Sequence, residues 1–454
     1  MKFLDNRYLL ETKIAEELFE RVKSLPILDL HSHVDVKEVL EDKSPKDIWE
    51  IVGATDHYVW ELMRRRGVSE DKITGDASNK EKWFALAEVF PSFAGNPTYE
   101  WIHLDLKRRF GIKKLISKET AMEIWEEASS ILKRGDLSPR RLLKEMKVEL
   151  MCTTDDTIDD LKNHEMIKKE MDSPIILPTW RADKAIEIEK KDKWKNYIER
   201  LGEITKENTS RISGLISALE KRQRYFKEHG CISCDFGLER PYSFPVREKE
   251  VSLIYDKAYR GMELTQEEVS KFKAFMLYEI GKINKDAGWF IQLHIGALRN
   301  YRGKLYKTLG ADSGGDISTQ NIDFAEGLRY FLNEFEDLII VLYCLDPTHL
   351  PTITTIARAF PNVMIGAPWW FNDSPFGIEF HLNYTSSVDL LANCLGMVSD
   401  SRKLLSYGSR IEVFRRTLCN VVGKMVERGQ IPFEVALRIV EDVSYLNTKR
   451  LVKL

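Results

Sequence analysis

Cysteine is scarce, six in 454 residues, and that is too few for a disulfide framework in a chain this long. Long apolar runs are missing as well. The longest, Leu338–Leu345, falls far short of the roughly twenty residues a helix needs to cross a bilayer. Neither sign of charge dominates: 68 Lys and Arg stand against 71 Asp and Glu, a net of −3. No basic stripe marks a nucleic-acid footprint. The first segment carries Asp5 and Glu11 among its apolar residues and has no signal-peptide core. Repeats and low-complexity tracts are absent. Glutamine is rare, five in the whole chain against abundant Lys and Glu, a balance that resembles thermophile proteins. What is there, 43% hydrophobic and 31% charged, fits a soluble globular enzyme and is too apolar for disorder. The expectation is a cytoplasmic protein that binds neither nucleic acid nor membrane. Its length allows one large elaborated domain or two or three ordinary ones.

Eight short β-rich runs are separated by helical patterns, the alternation of a parallel sheet. They are Pro26–His31, Val148–Cys152, Ile175–Thr179, Cys231–Asp235, Trp289–His294, Leu338–Tyr343, Val363–Ala367 and Leu395–Ser399. Several are continuously apolar, as strands buried on both faces must be. Lys227-Glu-His-Gly230 before the fourth run reads as a helix stop. Eight such units are the count of a (β/α)₈ barrel, which needs only about 250 residues. Most of the excess lies between the first two runs. That stretch holds half of the ten tryptophans and reads as a helical insertion with its own small core. The expected division is therefore 1–35, the first helix and strand; 36–147, the inserted helical subdomain; and 148–454, the rest of the barrel. A doubly wound open sheet is the rival, but it predicts a glycine-rich phosphate loop after the first strand, and His31-Ser-His33 stands there instead.

Barrel active sites gather at the C-terminal ends of the strands. The first run ends Asp29-Leu-His31-Ser-His33. Residues two apart in an extended chain point to one side, so both imidazoles can share a divalent cation. Two loop histidines with no such role are the plain alternative. The fifth run ends at His294 and the eighth is followed by Asp400-Ser-Arg402. A carboxylate and a third imidazole converging on the histidine pair would complete a metal site; Asp400 could instead cap a helix. Arg402 beside it either lowers its pKa or holds a substrate oxyanion. Trp369 and Trp370 after the seventh run can stack on a sugar ring or pack the loop. Asp235 ends the fourth run and can hold a hydroxyl or orient a histidine. Arg299 and Arg302 follow the fifth run and lie at the mouth or on the surface. Cys231 and Cys234 have CxxC spacing but no second pair, and on a barrel strand they read as core. His103, His164 and His229 fall in helical patterns and read as structural; His349 is open.

Asp29-Leu-His-Ser-His33, Thr55-Asp-His-Tyr58, Leu293–Arg299 and Gly396–Arg402 followed by Leu405-Ser-Tyr407 resemble the signatures of the uronate isomerases, the glucuronate and galacturonate isomerases of the amidohydrolase superfamily. The resemblance runs in order along nearly the whole chain. It implies a distorted (β/α)₈ barrel that interconverts an aldose uronate and its ketose, such as D-glucuronate and D-fructuronate. It further implies one divalent ion, zinc by expectation, on His31, His33 and Asp400, with no organic cofactor. His57 and Tyr58 match an active-site pair delivered by the insertion, Arg181 a substrate-binding arginine, His294 a histidine near the substrate, and Arg402 the partner of Asp400. Phe236 and Ile411 depart from the family pattern. A homo-oligomer is expected.

Moving a proton from C2 to C1 through an enediol needs a base, a donor to the carbonyl oxygen and a stabiliser of negative charge. Asp400 is the leading base with Arg402 opposing the oxyanion, and His57 and Tyr58 are alternative proton carriers. Arg181 suits the carboxylate or the hydroxyls of a sugar acid. Two rivals are weighed against this. A metal-dependent hydrolase or deaminase on the same scaffold would turn water into hydroxide. A sugar-acid-binding protein without turnover would show a broken residue set.

Overall fold

The computed structural model describes residues 3–454. Its strands are β1 (Ile27–Asp29), β2 (Val148–Cys152), β3 (Asp155–Asp156), β4 (Ile175–Leu177), β5 (Trp180–Arg181), β6 (Ser233–Leu238), β7 (Phe290–Ile295), β8 (Ala297–Leu298), β9 (Ile317–Ser318), β10 (Ile340–Cys344) and β11 (Val363–Ile365). The fold is α/β with two parallel sheets. One has the order β1-β2-β4 and the other β11-β10-β7-β6-β5-β3. A two-residue antiparallel ladder, β8 with β9, stands apart. The sheets run into each other, because Thr153 and Asp155 donate to Leu177 and Thr179 at 3.0 and 3.1 Å and carry the β2–β4 pairing on to β3 and β5.

Seven of the eight runs are strands. The eighth, Leu395–Ser399, forms no ladder, although the Leu395 N–H reaches Ile365 O of β11 at 3.5 Å. The reason is a side chain in the place of a backbone acceptor. Asp29, fully buried in β1, accepts from the Ser399 N–H at 2.9 Å and from the Ser399 hydroxyl. Backbone bonds resume just beyond: Asp400 donates to His31 O at 3.1 Å and His33 to Ser401 O at 2.9 Å. The chain from 395 to 401 thus lies along β1, near the other end of the sequence.

The strands alternate as buried strands should. Ile291, Leu293 and Ile295 of β7, with Ile340, Leu342 and Cys344 of β10, face the helices. Phe290, Val341, Tyr343 and Leu345 face inward and meet Leu28, Leu30, Leu150, Leu395 and Val398 in a separate small cluster. That inner cluster is the floor on which the C-terminal strand ends stand. Among the helices between strands, Ile212–Glu228 ends where the sequence predicts, with Gly230 at φ +90°, a conformation glycine adopts without penalty.

The stretch 36–147 forms helices joined by loops, and no strand. The core expected within it is continuous with its surroundings: Trp49, Trp83 and Trp101 join one apolar cluster with the first helix, Lys13–Val22, and with Ser406–Glu427. Cys231, Cys234, Phe236 and Ile411 are all buried in apolar clusters. No helix among the described residues is long and apolar enough to cross a membrane.

Replacing Asp29 by alanine removes the acceptor that ties segment 395–401 to β1 and leaves a buried N–H unpaired. The expected cost is about 1–3 kcal/mol, read as a lower midpoint in chemical denaturation; an unchanged midpoint contradicts the account.

Candidate active site

His31 and His33 leave β1 on one side of the extended chain. Nε2 of each lies 3.2 Å from the same oxygen, Oδ1 of Asp400. Asp400 reaches them with φ at +45°, a region costly for a residue with a Cβ. Its second oxygen accepts from Trp369 Nε1 at 3.0 Å. Thr154 meets Nδ1 of His33 at 2.9 Å.

Behind this pair lies Asp235 of β6, with no exposed surface. Its Oδ2 contacts His31 Nδ1 and its Oδ1 meets His294 Nδ1 at 3.0 Å. An ionised carboxylate only accepts, so both Nδ1 atoms carry hydrogen. Burial opposes the Asp235 charge, and His294, His31 and Arg181 overcome it and hold the group well below the ordinary carboxylate range. His294 is kept neutral by burial, with Asp235 opposing. Its Nε2 has no partner among the described residues, and its ring stacks on Tyr343 at 4.1 Å.

The proton balance tests the site for a metal. Burial opposes a proton on His31, but Asp235 at one ring nitrogen and Asp400 at the other push its pKa up to about 10. Burial pulls His33 down to about 4. The ligand atoms of His31, His33 and Asp400 lie within 4.8 Å of one another. Two nitrogens and an oxygen at that spacing fit one divalent cation, which would replace the His31 proton, with Asp235 orienting the ring from behind. His31, Asp235 and His294 form a second trio, but its members are already closed onto one another by hydrogen bonds.

The cleft above these groups has a volume of about 460 Å³. His57, Arg181, Arg299, Trp369, Trp370 and Arg402 also line it. Several placements differ from expectation. Arg402 pairs with Asp312, at 3.0 Å, and not with Asp400. Tyr58 does not line the cleft. Its hydroxyl turns to Asp373 at 3.4 Å, and its ring packs beside Arg410. His57 reaches the cleft from the start of the helix His57–Arg65 and stacks on Tyr58. Trp369 and Trp370 are each 4% exposed, so neither offers an open face to a sugar; Trp369 serves Asp400 and Trp370 lies under Arg299. Arg302 is not among the lining residues.

Arg181 pairs with Asp183 at 3.3 Å and Arg299 with Asp316 at 3.0 Å. His103, His164, His229 and His349 are held by Tyr99, Thr153, Glu165 and Thr319 respectively, away from the cleft. Sequence reasoning missed Thr154, Asp312 and Asp316. All three lie in loops with no motif; the two aspartates of 311–316 were hinted at only by that segment's composition, and nothing marked Thr154.

Since a metal must displace the His31 proton, its affinity rises with pH, about tenfold per unit below the His31 pKa of about 10. Titration of the metal-free protein between pH 6 and 8 measures this, and His31→Ala is expected to lower the metal-to-protein ratio. A pH-independent affinity contradicts the exchange.

The profile of the glucuronate isomerase family matches residues 1–452. The uronate isomerase of Thermotoga neapolitana is 60% identical over 450 residues, covering 99% of this chain and 99% of that protein. Among solved structures, the uronate isomerase from Thermotoga maritima aligns with a TM-score of 0.98 at 58% identity, over 99% of this chain and 100% of that one. The glucuronate isomerase from Caulobacter crescentus aligns with a TM-score of 0.95 at 25% identity, over 100% of this chain and 97% of that one. With its paired imidazoles facing a carboxylate at the head of a parallel sheet, and with these relatives along its full length, the chain belongs to the glucuronate isomerase family.

Proposed function

We propose that this protein is a uronate isomerase that interconverts D-glucuronate with D-fructuronate and D-galacturonate with D-tagaturonate, in the breakdown of hexuronates. The observation that carries the reading is Asp400: a carboxylate kept ionised between two imidazoles, in a cleft lined by three arginines. Burial opposes its charge, and His31 and His33 overcome it and hold the group well below the ordinary carboxylate range. An ionised carboxylate at this point is a proton acceptor in place.

Asp400 takes the proton from C2 of the aldose as the C1 carbonyl oxygen gains one from His57, giving the enediol. The proton returns from Asp400 to C1 while the C2 hydroxyl gives its own to His57, which is thereby restored, and becomes the ketone. Arg402 opposes the negative charge on oxygen along the way. Arg181 and Arg299 hold the sugar acid's carboxylate and hydroxyls, and the unpartnered Nε2 of His294 accepts from a hydroxyl. Asp235 fixes the rings of His31 and His294. Trp369 orients Asp400 through its indole N–H, Trp370 supports Arg299, and Tyr58 steadies His57 from behind.

His31, His33 and Asp400 would hold the divalent ion, and zinc suits two imidazoles with a carboxylate. When bound, such an ion supplies positive charge that anchors substrate oxygens.

The architecture belongs to the same reading. The two sheets and segment 395–401 form one distorted (β/α)₈ barrel, with 36–147 as its inserted subdomain between 1–35 and 148–454. The inner cluster shared by β1, β2, β7, β10 and segment 395–398 supports this closure, as do the hydrogen bonds from Asp400 to His31 and from His33 to Ser401. The protein works in the cytoplasm as a homo-oligomer.

A time course by NMR in D₂O with each uronate tests the activity. The expected result is the matching ketose, with deuterium entering at the exchanging carbon. Asp400→Asn is expected to lower kcat about 10²–10⁴-fold with the fold intact by circular dichroism; unchanged turnover removes Asp400 from the mechanism.

A further inference from the structure

Five lysines and arginines line the cleft, and each already has a carboxylate partner. Lys184 and Lys190 sit at the rim, 61% and 50% exposed. Arg181 and Arg402 lie deeper, 21% and 29% exposed, Arg299 is as open as the lysines, and the aspartates of the three arginines are held very differently. Asp183 also accepts from the Gly237 N–H at 2.7 Å. Asp316, 9% exposed, also accepts from the Asn300 N–H at 2.6 Å. Asp312 is 56% exposed, and among the described residues Arg402 is its one hydrogen-bond partner.

The backbone beneath Asp312 is fixed. Arg64 donates to Ser313 O at 2.6 Å and the Gly315 N–H donates to Glu61 at 2.7 Å. Asp312 itself sits at φ +59°. Its carboxylate can therefore leave Arg402 by rotation of its own side chain while the loop stays in place. Releasing Arg181 or Arg299 would leave an aspartate still tied to a backbone N–H beside the freed cation.

We propose that Asp312 is a placeholder counter-ion, displaced from Arg402 by a negatively charged oxygen of the substrate, and that it thereby sets the affinity of this cleft for sugar acids. The inference rests on the uronate isomerase reading above and deepens it. The incoming oxygen belongs either to the sugar acid's carboxylate or to the enediolate formed in the reaction, since a guanidinium pairs with both. Either way Arg402 can turn its Nη2 edge to the substrate only after letting go of Asp312, which that edge now holds. Asp312 is a positioning residue that acts through Arg402.

The test compares Asp312→Asn and Asp312→Ala with the wild type, with Asp316→Asn as control. Exposed ion pairs compete weakly, so kcat/KM for the uronate is expected to rise about two- to fivefold in both Asp312 variants and not in Asp316→Asn. D-Gluconate, a hexonate with the carboxylate but no carbonyl to isomerise, is titrated calorimetrically in parallel. A lower KM with tighter gluconate binding assigns the carboxylate. A higher kcat with unchanged gluconate binding assigns the enediolate oxygen. If kcat/KM and gluconate affinity are both unchanged or reduced, with native circular dichroism, the placeholder role is overturned. If the wild type turns over no uronate, the functional reading falls, and the gluconate titration alone still decides: tighter binding in the variants supports the exchange and equal binding overturns it.

Discussion

Acids and imidazoles alternate through the centre of this protein: Asp400, His31, Asp235, His294. The four residues come from four separated runs of the sequence. Each buried charge among them is tolerable only with its neighbour present, because a lone buried ion costs far more than any one contact returns. The runs that carry them must therefore lie side by side at the same height. Strand order, register and the site's protonation are in this sense one constraint, and the inner apolar cluster takes Leu28, Ile232, Phe290 and Val398 from the same four runs.

The helical stretch after β1 is bound into that arrangement from two directions. Asp56 caps the helix that carries His57 and pairs with Lys403 at 2.7 Å, three residues after Asp400. From the other side Arg410 lies between the rings of Tyr58 and Trp101 and pairs with Asp373 at 2.7 Å. These contacts explain why Tyr58 faces away from the cleft: its ring and hydroxyl complete a buried cationic knot that joins the insertion to the helix Ser406–Glu427 and to the loop after β11. His57, one residue earlier, is left to face the substrate side.

Period and composition made the sheet legible. Continuous apolar runs marked seven strands to within a few residues, and the His-x-His at the end of the first does bring two imidazoles to one carboxylate oxygen. The eighth run read as a strand yet is unladdered, because nothing local says that the Asp29 side chain will take the Ser399 N–H. Residue type and spacing placed Asp400 with the histidines. They misdirected Arg402, whose partner Asp312 lies ninety positions away in a loop without a motif. The tryptophans show the same limit: an indole after a strand is equally suited to a sugar or to a carboxylate, and only packing decides that Trp369 serves Asp400.

The pairing of every cleft cation has a physical origin. Arg181 and Arg402 are partly buried and Arg299 is more open, and without aspartates the three would repel one another. Paired, they let the folded protein keep three guanidiniums within reach of one small anion. The same pairing weakens each of them as a binding group, since a sugar acid must compete with a carboxylate already in place. Discrimination follows from that competition. A neutral sugar gains nothing by opening an arginine–aspartate pair, whereas an acid replaces one carboxylate by another. On the proposed reading only the Arg402–Asp312 pair makes this exchange of like for like, while the aspartates of Arg181 and Arg299 stay tied to backbone N–H groups and keep those cations paired.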